Sequence, residues 1–227
     1  MPRYKDIDYN LKQSSRKTMS IYIEPDGSVS VLAPKRLSKE EIEKVIERKR
    51  YWIYSKLTEW QELNRSRIER DFVGGQGFPY LGRSYRLKIV DDQDVPLKLY
   101  QGYFCLRKAE LSQAENEFAK FYREKGLEKI PARVDYYKQL MGIKPNGIRV
   151  MDLKTHWASC SDDGTLNFHW KCMMTPLTIL DYIVVHELAH LLHPTHNQNF
   201  WNLVDKILPD YMERVKWLRE NGAGMEL

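Results

Sequence analysis

The stretch Asp181-Tyr182-Ile183-Val184-Val185-His186-Glu187-Leu188-Ala189-His190-Leu191-Leu192-His193-Pro194-Thr195-His196 constrains this chain more than any other. It sets H-E-x-x-H inside an apolar run. On a helix, His186 and His190 lie one turn apart on the same face. Two imidazoles so placed can reach one metal ion, and Glu187 between them can act on a metal-bound water. Ile183, Val184, Leu188 and Leu191 predict that this helix is buried and rigid, as a metal site requires. Four of the chain's six histidines fall between residues 186 and 196.

A third ligand follows from geometry. His193 shares the helical face of His186, but seven residues of helix rise about 10.5 Å. Zinc–nitrogen bonds are only about 2.0–2.1 Å, so one straight helix does not focus all three imidazoles on one ion. Pro194 also disfavours helical geometry at His193. The helix should end there and the chain turn back, bringing His196 to the metal. An acidic ligand from the next helix, Asp205 or Glu213, is the alternative, since His2Glu sites also exist. One zinc ion with three protein ligands keeps a position open for water, whose pKa zinc lowers towards about 7. Glu187 would carry that proton to the leaving group. No motif specifies the group that stabilises the oxyanion; His156, His169, His193 and Arg149 are candidates.

The rest of the chain reads as support for this site. Residues 4–13 alternate weakly as a strand, and two β-rich runs around Pro25-Asp26-Gly27 predict a hairpin. Ser38 and Glu41 form a capping box opening a long helix over residues 39–66, with Ile42, Val45, Ile46, Ile53, Leu57, Trp60 and Leu63 at helical spacing. Its other face carries Lys44, Arg48, Lys49, Arg50 and Lys56 among glutamates. This is a solvated face or a contact surface for nucleic acid. Gly74-Gly75-Gln76-Gly77 lacks the end of a phosphate loop and reads as a turn. Two or three strands follow, up to residue 106. Ser112 with Glu115 opens a helix that Gly126 stops, and a further helix runs from Pro131 to Met141. A strand at 147–154 leads into a hairpin turning at Asp163-Gly164. Thr175 then caps the motif helix, with Pro176 in its first position. No internal repeat is visible. The expected class is α+β: a β-rich N-terminal half with one long helix, over residues 1–108, and a helical metal-binding half with a small antiparallel sheet, over residues 109–227.

The strand at Trp157–Ser161 could hold an extended peptide by added-strand pairing, which makes Trp157, Ser159 and His193 candidate substrate contacts. No run approaches the roughly 20 apolar residues of a membrane span. The first residues lack the apolar core of a signal peptide, and the three cysteines are unpaired in spacing, so a cytoplasmic location is expected. A net charge of +5 permits a nucleic-acid or anionic partner without requiring one.

The order Trp157-Ala158-Ser159-Cys160-Ser161, the Asp163-Gly164 hairpin, Asp181-Tyr182-Ile183-Val184-Val185-His186-Glu187-Leu188-Ala189-His190, then His196 and Phe200-Trp201, resembles the YgjP-like family of metal-dependent hydrolases. That family is a zincin-like relative of SprT-type metalloproteases. The resemblance implies that His186, His190 and His196 bind zinc and that Glu187 is catalytic. Ala158 departs from the family's glycine, and His193-Pro194 lies in a variable linker. It implies a metallopeptidase acting on a peptide or protein; a nucleoside triphosphate (UTP) pyrophosphatase activity has also been attached to the family. The chain has no Walker sequence and no clustered carboxylates for magnesium, but its basic residues could hold a triphosphate, so a nucleotide partner stays as the alternative. A nucleic-acid-binding module with structural zinc, using the basic helix, is the third reading.

Overall fold

The computed structural model describes residues 2–24, 27–64, 70–153 and 156–227, and the side chains of 59–64 lie outside the described part. The chain folds as two compact units, Met1–Ser66 and Arg67–Leu227. The division therefore falls near residue 66 and not at 108/109, where composition changes. Phe78, Leu87, Phe104 and Leu106 share a core with Phe118, Phe121 and Tyr122, so the strands between residues 77 and 107 belong with the second unit.

In the first unit, β1 (Arg3–Tyr4), β2 (Ile7–Ser14), β3 (Ser20–Ile23) and β4 (Val29–Pro34) form a sheet in the order β1-β2-β4-β3. β3 and β4 make the expected antiparallel pair; Pro25 and Asp26 of its turn lie outside the described residues. Ile7 and Tyr9 of β2, and Val29, Val31 and Ala33 of β4, alternate into a core with Ile42, Ile46 and Ile53 of α1 (Lys39–Asn64). The capping box is made as the sequence predicts: Ser38 N–H donates to Glu41, and Glu41 N–H to the Ser38 hydroxyl. On the helix's outer side Glu47 takes Lys5 at 2.9 Å and Arg50 takes Asp6 at 3.0 Å, while Lys44, Arg48 and Lys49 stay exposed.

The second unit repeats that strand topology: β5 (Gly77–Tyr80), β6 (Arg83–Val90), β7 (Leu97–Tyr100) and β8 (Tyr103–Arg107) run in the order β5-β6-β8-β7, with β6 and β8 parallel as β2 and β4 are. The repeat reaches residue identity, against the expectation of none: Tyr4, Tyr9, Leu11 and Lys12 recur as Tyr80, Tyr85, Leu87 and Lys88, and Leu37-Ser38 with Glu41 and Glu43 recurs as Leu111-Ser112 with Glu115 and Glu117. Two-residue turns at Leu81-Gly82 and Gln101-Gly102 have positive φ at both positions, the geometry a tight hairpin demands.

A single helix, α2 (Ala114–Met141), replaces the two helices expected here. Gly126 does not stop it because the residue is buried: a Cβ there would meet Val150 Cγ1 at 3.0 Å, so glycine allows close approach of helix and sheet. Pro131 removes one bond to the carbonyl of residue 127, a residue whose side is exposed, and packing on both sides of the gap carries the helix through. Gly142 ends it in the left-handed region, as predicted.

Next come β9 (Gly147–Met151), β10 (Ala158–Cys160) and β11 (Thr165–His169), ordered β10-β11-β9. The expected antiparallel pair β10–β11 is present, and β9 adds a parallel one. A short 3₁₀ turn over Trp170–Met174 leads to α3 (Leu177–His190), followed by α4 (Gln198–Ile207) and α5 (Tyr211–Asn221). Thr175 does not cap α3; its hydroxyl donates to the Cys172 carbonyl at 2.8 Å, and Pro176 stands in the cap position. The Leu81-Gly82 turn sets that start: Leu81 N–H donates to Met173 at 2.9 Å, and a Cβ on Gly82 would meet Pro176 Cα at 3.1 Å. No described helix is long and apolar enough to cross a membrane.

Candidate metal centre

α3 is buried nearly all round: Ile179, Leu180, Ile183, Val184, Val185, Leu188 and Ala189 all lie in the core. Arg133 of α2 clamps it with a bidentate ion pair to Asp181, at 2.6 and 2.9 Å. The helix stops at His190, and His193 N–H bonds back to the Ala189 carbonyl. The chain then reverses. Asn197 caps α4 by accepting from Phe200 N–H at 3.0 Å, which fixes His196 just ahead of the cap.

His186, His190 and His196 consequently converge, with ligand atoms all within 4.8 Å of one another. His186 Nε2 lies 3.2 Å from His190 Nε2 and 3.0 Å from His196 Nε2. An ion with tetrahedral bonds of about 2.0–2.1 Å sets its nitrogens about 3.3–3.4 Å apart, so the spacing suits a shared metal. Proton placement agrees. His190 Nδ1 faces the His193 carbonyl at 3.2 Å, and His186 Nδ1 faces the Tyr182 hydroxyl at 3.3 Å. A proton on each Nδ1 leaves both Nε2 lone pairs bare and aimed at one point. Burial, then the neighbouring imidazoles, push His186 down to about 3, and burial also lowers His190. Both rings are therefore neutral, as ligands must be.

Phe200 forms the floor, with its ring centroid 4.7–4.9 Å from all three imidazoles. Trp201 stacks on His196 at 5.6 Å and on Tyr211 at 5.5 Å. Glu187 is 6% exposed, and burial pushes its carboxyl up to about 8. A cation on the histidines would draw that value down again.

The histidine that geometry disfavours as a ligand, His193, keeps its side chain out of the cluster and contributes its carbonyl to His190 instead. Asp205 and Glu213 are exposed and lie outside the cluster. Trp157 lines a cleft of about 260 Å³ beside His186 and Glu187, together with His156. Of the four oxyanion candidates, His156 alone among the described residues lines it. His169 is buried with Nδ1 accepting from Lys171 N–H at 3.1 Å, and Arg149 is exposed on β9. Trp157 and Ser161 bond to β11 through His169 and Thr165, so the alternation turns the backbone groups of Ser159 towards β11 as well. Ala158 and Cys160 are the residues whose backbone groups face the uncovered edge of β10. Tyr182 was not singled out from sequence; its place four residues before His186 is the signal that could have found it.

Among curated proteins, none matches this chain. A solved structure, the metallopeptidase zymogen abylysin of Pyrococcus abyssi, is 27% identical over 37% of this chain and 87% of that one, with a TM-score of 0.36. A likeness that low carries no argument. Residues 17–221, in contrast, match the family model described as the YgjP-like metallopeptidase domain, and the chain belongs to that family of metal-dependent hydrolases.

Proposed function

We propose that this protein is a zinc-dependent peptidase in which His186, His190 and His196 hold one ion and Glu187 is the general base. The convergence of the His190 and His196 Nε2 atoms on that of His186, at 3.2 and 3.0 Å, is the observation that carries this reading. Zinc held there would supply Lewis acidity, polarising the scissile carbonyl and making water acidic near neutral pH. The Glu187 carboxylate takes a proton from the attacking water and returns it to the leaving amine. Its buried setting strengthens that exchange by excluding competing solvent. The free edge of β10, with the backbone groups of Ala158 and Cys160, holds an extended substrate as an added strand alongside Glu187. A peptide suits the cleft better than a nucleotide, because no lysine or arginine lines it among the described residues. The three free cysteines are compatible with a reducing cytoplasm.

Glu187→Gln tests the reading. The variant should keep one zinc per chain by elemental analysis and lose cleavage of a peptide mixture by at least about 100-fold. Undiminished turnover would sink the assignment.

A further inference from the structure

The cleft beside Glu187 has one reactive wall and a remainder that is apolar except for His156 and the Tyr182 hydroxyl. His186 and Glu187 form the reactive end. Tyr182 and Ile183 lie one turn earlier on the same face of α3 and are 7% and 3% exposed. Trp157 and Ala158 come from the run into β10, and Leu218 closes the far side from α5. Gly222 holds that side in: a Cβ on it would meet the Trp157 ring at 3.3 Å, so the end of α5 approaches Trp157 closely. The volume of about 260 Å³ is below the roughly 300–1,000 Å³ of pockets that take whole small-molecule ligands, and suits one side chain.

Resting on the peptidase reading, we infer that this cleft is a specificity pocket. It takes a single large apolar side chain, aromatic or leucine-like, from the substrate residue next to the scissile bond, with Leu218 as its determinant. A peptide paired with the β10 edge extends alternate side chains to one face. The face beside Ala158 opens into the pocket, whose Trp157, Ala158, Ile183 and Leu218 walls favour an apolar side chain and offer no lysine or arginine, among the described residues, to an acidic one.

The test uses the full chain and two readouts. Fluorescent pentapeptides that differ only in the central residue (Phe, Leu, Ala, Asp or Lys) are titrated onto zinc-loaded Glu187→Gln. The same series is then given to active protein and kcat/KM is measured. Phe and Leu should bind and be cleaved at least about tenfold better than Asp or Lys. Leu218→Ala should cut the Leu-over-Ala preference by about tenfold, and Leu218→Lys should raise Asp relative to Phe. If Leu218→Lys does not fold, Leu218→Ala and the wild-type profile still decide. Equal binding and cleavage across the series, or preferences unmoved in the Leu218 variants, overturns the pocket while leaving the peptidase reading intact. Selective binding of Phe and Leu with no cleavage sinks the peptidase reading and supports the pocket.

Discussion

Replacing Asp181 by asparagine keeps the shape of the side chain and removes its charge. Asp181 is 10% exposed and Arg133 is 27% exposed, and the two meet through a pair of hydrogen bonds, at 2.6 and 2.9 Å, that join α2 to α3. Hydrogen bonds to charged groups contribute about 1.5–3 kcal/mol each. Leaving one member of a buried ion pair alone costs about 3–5 kcal/mol. Arg133 is about a quarter exposed, and water screens it once its partner is gone, so the expected loss for Asp181→Asn is about 2–3 kcal/mol. Arg133 also lies 5.0 Å from the Tyr136 ring and 5.4 Å from that of Tyr137, so Arg133→Met loses cation–π contacts as well. A double-mutant cycle cancels those contacts, which are lost with and without Asp181. The coupling should be about 2 kcal/mol. Urea unfolding followed by tryptophan emission is the assay; four of the six tryptophans, Trp157, Trp170, Trp201 and Trp217, report on the second unit. The argument fails if Asp181→Asn costs less than about 0.5 kcal/mol, or if the two changes are additive.

Tyr182→Phe removes the hydroxyl facing His186 Nδ1 and should weaken zinc binding by about 10–100-fold in competition with a chelator; unchanged affinity would show that the hydroxyl does not orient the ring. His169 is held down to about 4, chiefly by burial, and its Nδ1 must stay unprotonated to accept from Lys171 N–H. The unfolded chain binds the proton more readily, so His169 contributes stability that is fully present above about pH 6.5 and is lost as pH falls towards about 4, by up to about 1.4 kcal/mol per pH unit. His169→Gln should flatten that part of the stability profile relative to the parent, and parallel profiles would refute the account. Gly126→Leu forces a side chain between α2 and Val150 and should destabilise by at least about 1–3 kcal/mol in thermal melts; a neutral result would mean that helix and sheet separate freely.

Local chemistry was legible in the sequence at Ser38 and in the histidine cluster, but not at Ser112: the expected Ser112–Glu115 box does not form, because a 3₁₀ turn over Lys108–Gln113 runs into α2 and no side chain caps it. The Ser38–Glu41 capping box needs only four residues, and it forms. The histidine cluster needs eleven, and the rise per residue with the proline after His193 selects His196. Features that depend on distant partners were not legible. Gly126 and Pro131 are helix breakers by propensity, yet α2 runs through both because Val150 and the core residues around it supply the packing. The Thr175 hydroxyl is taken by Cys172, so its capping propensity is not used. The parallel pairs β2–β4, β6–β8 and β9–β11 join strands separated by other elements, and local alternation carries no record of which strand lies alongside.

The same distinction separates the two halves of the site. His186, Glu187, His190 and His196 lie on one helix and the turn after it, so their spacing alone predicts where a metal can sit. The cleft draws Trp157 from one element, Tyr182 and Ile183 from a second and Leu218 from a third, and only packing brings them together. A change at Leu218 leaves every residue of the H-E-x-x-H motif in place and still alters the wall against which a substrate side chain must fit. Substrate preference should therefore change at Leu218 on α5 with metal affinity unmoved, whereas Tyr182, which faces His186 Nδ1 and also lines the cleft, bears on both.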